Sequence, residues 1–267
     1  MKFVRVYAAA IAVAAATVAA TASGRSASPQ RLSAERAHRV RMIAAAPAQA
    51  VPPKPTAHAT RRIEGWLVHV DRRLLGGADK TLGERALHIL SVRLYEITLA
   101  LPADKVERLR EVPIWIDRTH GALKSMQYHP SADWLRENGY CAALARCVHI
   151  PDAAYFASSE IQFQQPWAIL HELAHAYHDQ VLGFENAEII ATWQRFRDGG
   201  KYASVPHMNG RMRPHYGLTD QKEFFAEMTE TYFGMNDFYP FNRAELQRAE
   251  PDLAALIGRL WERGLER

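Results

Sequence analysis

Cysteine is scarce: the 267-residue chain has only two, Cys141 and Cys147, in the run YCAALARC. Two sulfurs alone cannot complete a structural zinc site, which takes four protein ligands. The pair either closes a small loop as a disulfide or remains as two free thiols, and the spacing admits both. A long, strongly apolar run is missing too. Ala8–Ala20 is short and alanine-rich, whereas a membrane span needs about 20 strongly apolar residues. With Lys2 and Arg5 before it and Ala20-Thr21-Ala22 after it, this stretch reads as a secretory signal peptide over residues 1–22. A secreted, periplasmic or cell-surface protein is therefore expected, with a membrane role only if the segment stays uncleaved. No acidic residue occurs before Glu35, which keeps an organellar transit peptide as a rival.

Hydrophobic periodicity is absent from residues 23–60, which are rich in Ala, Pro, Ser and Arg and end near Val51-Pro52-Pro53-Lys54-Pro55. They read as a flexible tether. The remainder lacks an excess of positive charge. Residues 63–267 hold 23 Lys and Arg against 28 Asp and Glu, a net of −5, so the basic pI of about 9.1 belongs to the leader and tether. A domain so charged is a poor electrostatic match for nucleic acid. No internal repeat is present, and one monomeric domain over 61–267 is expected. With 48% hydrophobic residues, the chain can bury a core.

Within that domain Ile63–Asp71 alternates as a strand does, and Val112–Asp117 and Cys147–Ile150 read as further strands. Thr81–Leu101, Ala103–Arg110, Pro166–Leu182, Asn186–Phe196, Asp220–Phe233 and Arg243–Trp261 read as helices, the last interrupted at Pro251. Asn209-Gly210 signals a two-residue hairpin turn. Strands lead and helices follow, which predicts an α+β fold: a small mixed sheet packed on a central helix, with a helical C-terminal part.

The helix at 166–182 contains His171-Glu172-Leu173-Ala174-His175. Residues four apart share a helix face, so both imidazoles can meet one ion while Glu172, about 100° round the helix, lies beside it. That arrangement suits a catalytic metal, whose bound water needs a nearby carboxylate to take its proton. A third ligand has to come from elsewhere. His178 is seven residues past His171, about 10.5 Å along the axis, and the extended pattern HExxHxxGxxH fails because position 181 is Val181. The segment YGLTDQKEFFAEMTETYFGMN supplies Glu223, Glu227 and Glu230 on one helix face. Spacing alone does not choose among them, and a solvated acidic stripe is the plain alternative.

HELAH, followed about fifty residues later by Tyr216-Gly217 and Glu223-Phe224-Phe225-Ala226-Glu227, resembles the protease domain of anthrax lethal factor and its relatives. These are zincins that take glutamate as the third ligand. The similarity covers roughly 167–236. It implies a zincin-like fold and one catalytic zinc on His171, His175 and Glu223. It further implies Glu172 as general base, Tyr216 as an oxyanion donor, and Glu227 beside a ligand histidine, orienting it. Two departures stand out: Leu173-Ala174 replaces the family's aromatic-glycine pair, and the chain has no room for the toxin's receptor-binding and docking domains. The activity expected is that of a secreted zinc metalloendopeptidase acting on a peptide or protein, with the strand at 147–150 pairing with the extended substrate. The alternatives are a surface binding module that carries zinc without turnover, and a zinc amidase acting on a non-protein amide such as cell-wall peptide.

Overall fold

The computed structural model describes residues 53–262. The signal-peptide reading of 1–22 and most of the tether lie outside the described residues. The tether's last residues belong to the folded unit. The Pro53 carbonyl accepts a hydrogen bond from Thr119 Oγ1 at 2.8 Å, and Lys54 Nζ donates to the Gly139 carbonyl at 2.6 Å.

What the alternation at 63–71 presents as one strand is a hairpin, β1 (His58–Ile63) and β2 (Trp66–Asp71). Its turn is Glu64-Gly65, both with positive φ, 51° and 94°. That backbone is the two-residue hairpin connection whose twist matches the strands. The domain therefore begins before residue 61. After β2 come α1 (Lys80–Ala100), α2 (Ala103–Arg110) and β3 (Ile114–Ile116). Next are β4 (Gln127–Tyr128), α3 (Ala132–Glu137), β5 (Val148–Ile150), α4 (Ala153–Phe156) and α5 (Ser159–Gln164). The sheet order is β1-β2-β3-β5-β4, parallel across β2-β3-β5 and antiparallel at both margins.

The pleat separates two faces. Trp66, Val68, Val70, Ile114, Ile116, Val148 and Ile150 share a continuous core with Ala86, Leu90, Leu94 and Ile97 of α1 and with Ile169, Leu170 and Leu173. The last three belong to α6 (Ala168–Tyr177), which is buried on nearly every side. Beyond it the helix widens to π-type pairing over His178–Leu182 and stops at Gly183, φ 78°. His178, which opens that segment, packs in the core between Phe184 and Phe225.

The C-terminal part contains α7 (Ala187–Asp198), the hairpin β6 (Val205–Pro206) and β7 (Met212–Arg213), α8 (Gln221–Phe233), α9 (Arg243–Ala249) and α10 (Pro251–Glu262). The hairpin closes differently from the two-residue turn that Asn209-Gly210 suggests. His207 N–H donates to the Arg211 carbonyl and Gly210 N–H to the His207 carbonyl, leaving a three-residue loop whose last member, Gly210, takes φ 79°. Pro251 separates the last two helices because it fits the first turn of a helix and not its interior. Helix α8 packs along α6 and is held from behind by Trp261, whose Nε1 donates to Thr229 Oγ1 at 3.0 Å. Mixed α and β structure, with a five-stranded sheet, a two-stranded one and a largely helical C-terminal part, agrees with the α+β class that the order of elements indicates. No helix among the described residues is long and apolar enough to cross a membrane. Cys141 and Cys147 are free thiols, one exposed and one buried.

Candidate metal centre

Two helices build the site. On α6, His171 and His175 come one turn apart with ring centroids 4.7 Å from each other, at 80°. Helix α8 enters from the side. Asp220 caps it, its Oδ1 accepting from the amides of Lys222 and Glu223, so Glu223 sits in the first turn, where the helix dipole favours a negative charge. Glu223 Oε2 lies 3.1 Å from His171 Nε2 and 3.4 Å from His175 Nε2. The three residues offer one ligand atom each within 4.8 Å of the others. The two histidines and the distant glutamate are thus brought together.

The stripe at 223, 227 and 230 is not a solvated face. Residues Phe224–Tyr232 of α8 are all buried. Of the three carboxylates, Glu230 approaches His171 Nδ1 to 2.6 Å and Glu227 only to 3.6 Å. The residue that orients His171 is therefore Glu230, and the expectation for Glu227 is corrected. Glu227 Oε2 instead accepts from Asn236 Nδ2 at 3.0 Å. The ring of His171 is held between Glu223 on its Nε2 side and Glu230 on its Nδ1 side.

The electrostatics show what the cluster attracts. Burial acts to lower the His171 pKa, but hydrogen bonds to Glu223 and Glu230 outweigh it and hold it well above 6.5. Burial likewise acts to raise Glu223, and His175 and then His171 overcome it, holding the carboxyl below its ordinary range. Burial, Asp237 and Glu230 push Glu227 well above its usual value, and burial raises Glu230. Several buried acids around two imidazoles make a site that draws a positive charge, and a proton on His171 supplies one. A divalent cation on the same nitrogen and oxygen atoms would satisfy the same field.

Glu172 is also buried, and its Oε2 accepts the Tyr128 amide at 2.7 Å. Tyr128 belongs to β4, the sheet's edge strand, and its hydroxyl donates to Asp179 Oδ2 at 2.6 Å. Edge strand and central helix are therefore bonded to each other at the carboxylate beside the histidines. Strand β5 lies between β3 and β4, so the expectation that it pairs with a substrate is corrected: both its edges are taken.

Tyr216 opens a short helical turn, Tyr216–Leu218, that leads into α8. His215 Nδ1 accepts the Gly217 amide at 3.0 Å. A Cβ on Gly217 would lie 3.2 Å from that nitrogen and 3.3 Å from Phe224 Cα, which explains glycine after the tyrosine. Although Tyr216 is 40% exposed, its phenol is held above its ordinary pKa by lost hydration and then by the Glu223 charge. His178 is fully buried with neither ring nitrogen bonded among the described residues, and burial pushes it down to about 3. It takes no part in the cluster, as its distance along the helix requires.

Sequence reasoning did not reveal the Tyr128 amide, because a two-residue strand has no periodicity to detect. It named Glu230 as a candidate but could not give it its role. Compared with known protein families, curated proteins and solved structures, the chain matches none.

Proposed function

We propose that the chain is a zinc-dependent metallopeptidase of the lethal factor type with a zincin-like domain. The observation that carries this reading is the convergence of His171, His175 and Glu223 within 4.8 Å, with Glu172 next to the first histidine. Two imidazoles and one carboxylate leave a fourth position free, the arrangement of catalytic zinc. When bound, zinc supplies Lewis acidity, polarising a carbonyl and lowering the pKa of water. His171, His175 and Glu223 would hold it, and Glu230 fixes the His171 ring through Nδ1.

The remaining work falls to side chains of this protein. Glu172, positioned by the Tyr128 amide, accepts a proton from the attacking water and returns it to the departing amine. Tyr216, whose phenol stays protonated at neutral pH, donates a hydrogen bond to the oxygen on which charge develops. Strand β4 ties the sheet margin to Glu172 through the Tyr128 amide and so sets where that carboxylate stands relative to the two histidines.

The test is metal analysis of the purified full chain coupled to cleavage of a mixed peptide library, with peptidoglycan fragments in parallel. Chelator-sensitive peptide cleavage, abolished in Glu172→Gln with zinc retained, is the expected result. Metal retention without peptide cleavage by the wild-type chain would sink the peptidase reading, and cleavage of the wall fragments alone would assign the amidase instead.

A further inference from the structure

The face of the sheet turned away from α6 carries a second cluster. Val148 and Ile150 point into the core, so His149 between them projects to the opposite side, as does Asp117 just past β3. Asp117 is the hub. Its Oδ2 lies 2.7 Å from His120 Nδ1 and 2.8 Å from His149 Nε2, and its Oδ1 lies 2.6 Å from His58 Nε2. Asp117 and His149 are fully buried and His120 is 5% exposed. One ligand atom from each of Asp117, His120 and His149 lies within 4.8 Å of the other two.

The surroundings are ordered around these three. Asp71 accepts the Arg118 amide, and Arg73 donates to both the carbonyl and the hydroxyl of Thr119. The segment bearing Asp117 and His120 is thereby held in place. The two nearby guanidinium charges are engaged elsewhere, Arg73 with Asp71 and Arg118 with Asp79. An outer ring of partners orients the inner residues: His58 on the second oxygen of Asp117, and His129 Nε2, 3.3 Å from His149 Nδ1. Metal ligands are characteristically held in this way by a second layer of hydrogen bonds. His120 Nε2 is buried with no hydrogen-bond partner among the described residues. The ring's polar contact therefore rests on Nδ1 alone, the nitrogen that faces Asp117.

We propose that Asp117, His120 and His149 form a second metal site, on the opposite face of the sheet from the His171 centre, for a divalent transition-metal ion of the zinc class. Two imidazoles and one carboxylate suit such ions, while magnesium and calcium take shells made of oxygen. The site joins the ends of β3 and β5, and through His58 it reaches β1. Through His129 it adjoins β4, the strand whose Tyr128 amide holds Glu172, so the bound ion stiffens the sheet edge beside the first centre.

The experiment is metal stoichiometry of the full chain after loading with zinc and dialysis. The wild-type chain is expected to retain about two equivalents, one for each three-ligand cluster. The His175→Ala/Glu223→Ala variant is expected to retain one, and adding His120→Asn and His149→Gln is expected to remove it, with circular dichroism checking the fold. Because a buried substitution can unfold the chain, the His175→Ala/Glu223→Ala variant is also loaded with cobalt and examined by X-ray absorption. The retained ion should show two imidazoles at roughly 2.0–2.1 Å, a result that requires no change at the second cluster. A chain that loses all its metal in the His175→Ala/Glu223→Ala variant would overturn the proposal. So would a retained ion whose shell lacks histidine, or one that persists in folded His120→Asn/His149→Gln protein. Failure of the first centre to bind metal has a different signature: wild type and the His175→Ala/Glu223→Ala variant would then hold the same single equivalent, still dependent on His120 and His149.

Discussion

Glu230→Gln is expected to weaken zinc binding about tenfold, with Glu227→Gln nearly silent. Glu230 Oε1 lies 2.6 Å from His171 Nδ1, and Glu227 comes no closer to that nitrogen than 3.6 Å. Glutamine at 230 keeps an acceptor oxygen but loses the charge. A hydrogen bond to a charged group contributes about 1.5–3 kcal/mol and a neutral one about 0.5–1.5 kcal/mol. The difference, about 1–1.5 kcal/mol, corresponds to roughly tenfold in Kd and agrees with the usual effect of removing a ligand's outer partner. At 227 the balance is different. Burial, Asp237 and Glu230 hold that carboxyl well above its ordinary value, and it stands 3.6 Å from the ring nitrogen, so an amide there removes little that the His171 ring depends on. Its contact with Asn236 Nδ2 survives because the amide oxygen still accepts. Zinc affinity is read by competition with a chromophoric chelator at neutral pH, with circular dichroism confirming the fold of each variant. A tenfold loss in Glu227→Gln beside an unaltered Glu230→Gln would refute the assignment of His171's partner.

Other outcomes follow from the same structure. Glu223→Ala should lose the metal of the first centre outright, while Tyr216→Phe should slow peptide turnover and leave zinc content unchanged; zinc analysis beside the cleavage assay separates the two. His178→Leu should stabilise the fold by about 1–3 kcal/mol in urea unfolding at neutral pH, since it removes a buried ring that makes no hydrogen bond among the described residues; a destabilised variant would show that the ring's packing outweighs its polarity. Burial holds both His178 and His215 at about 3, against 6.5 in an unfolded chain. The unfolded state thus binds more protons between those values, so stability should fall as pH drops from about 6.5 toward 3, and His178→Leu should flatten that slope. Gly83→Ala should destabilise by about 1–3 kcal/mol in the same assay despite alanine's better helix propensity. The added Cβ would stand 1.8 Å from the Leu74 carbonyl oxygen, so α1 must move for it to fit.

The residues that could be read directly from the chain are those whose partners lie within a few positions. HELAH on an apolar helix places two imidazoles on one face by local geometry alone, and the Asp220 cap and Pro251 mark helix starts by rules acting within one turn. Glu223, Glu227 and Glu230 were legible as a set for the same reason. At 100° per residue the last lies about 20° from the first in azimuth and the middle one about 40°, too small a difference to choose between them. The crossing of α8 over α6 makes that choice, sending Glu223 to Nε2 and Glu230 to Nδ1 of a single ring.

Local sequence thus determined the helices, the alternating faces of the strands and the identity of the donor atoms. Tertiary structure alone decided which donors meet. Strand β4 is two residues long, and it exists because β5 pairs with it and Glu172 receives its amide. Likewise His58, Asp117, His120 and His149, separated by up to 91 positions in the sequence, gather because β1, β3 and β5 lie in one sheet. Periodicity carries information over a turn or a pleat. Convergence across a sheet or between helices depends on how whole elements pack, and no short stretch of residues encodes it.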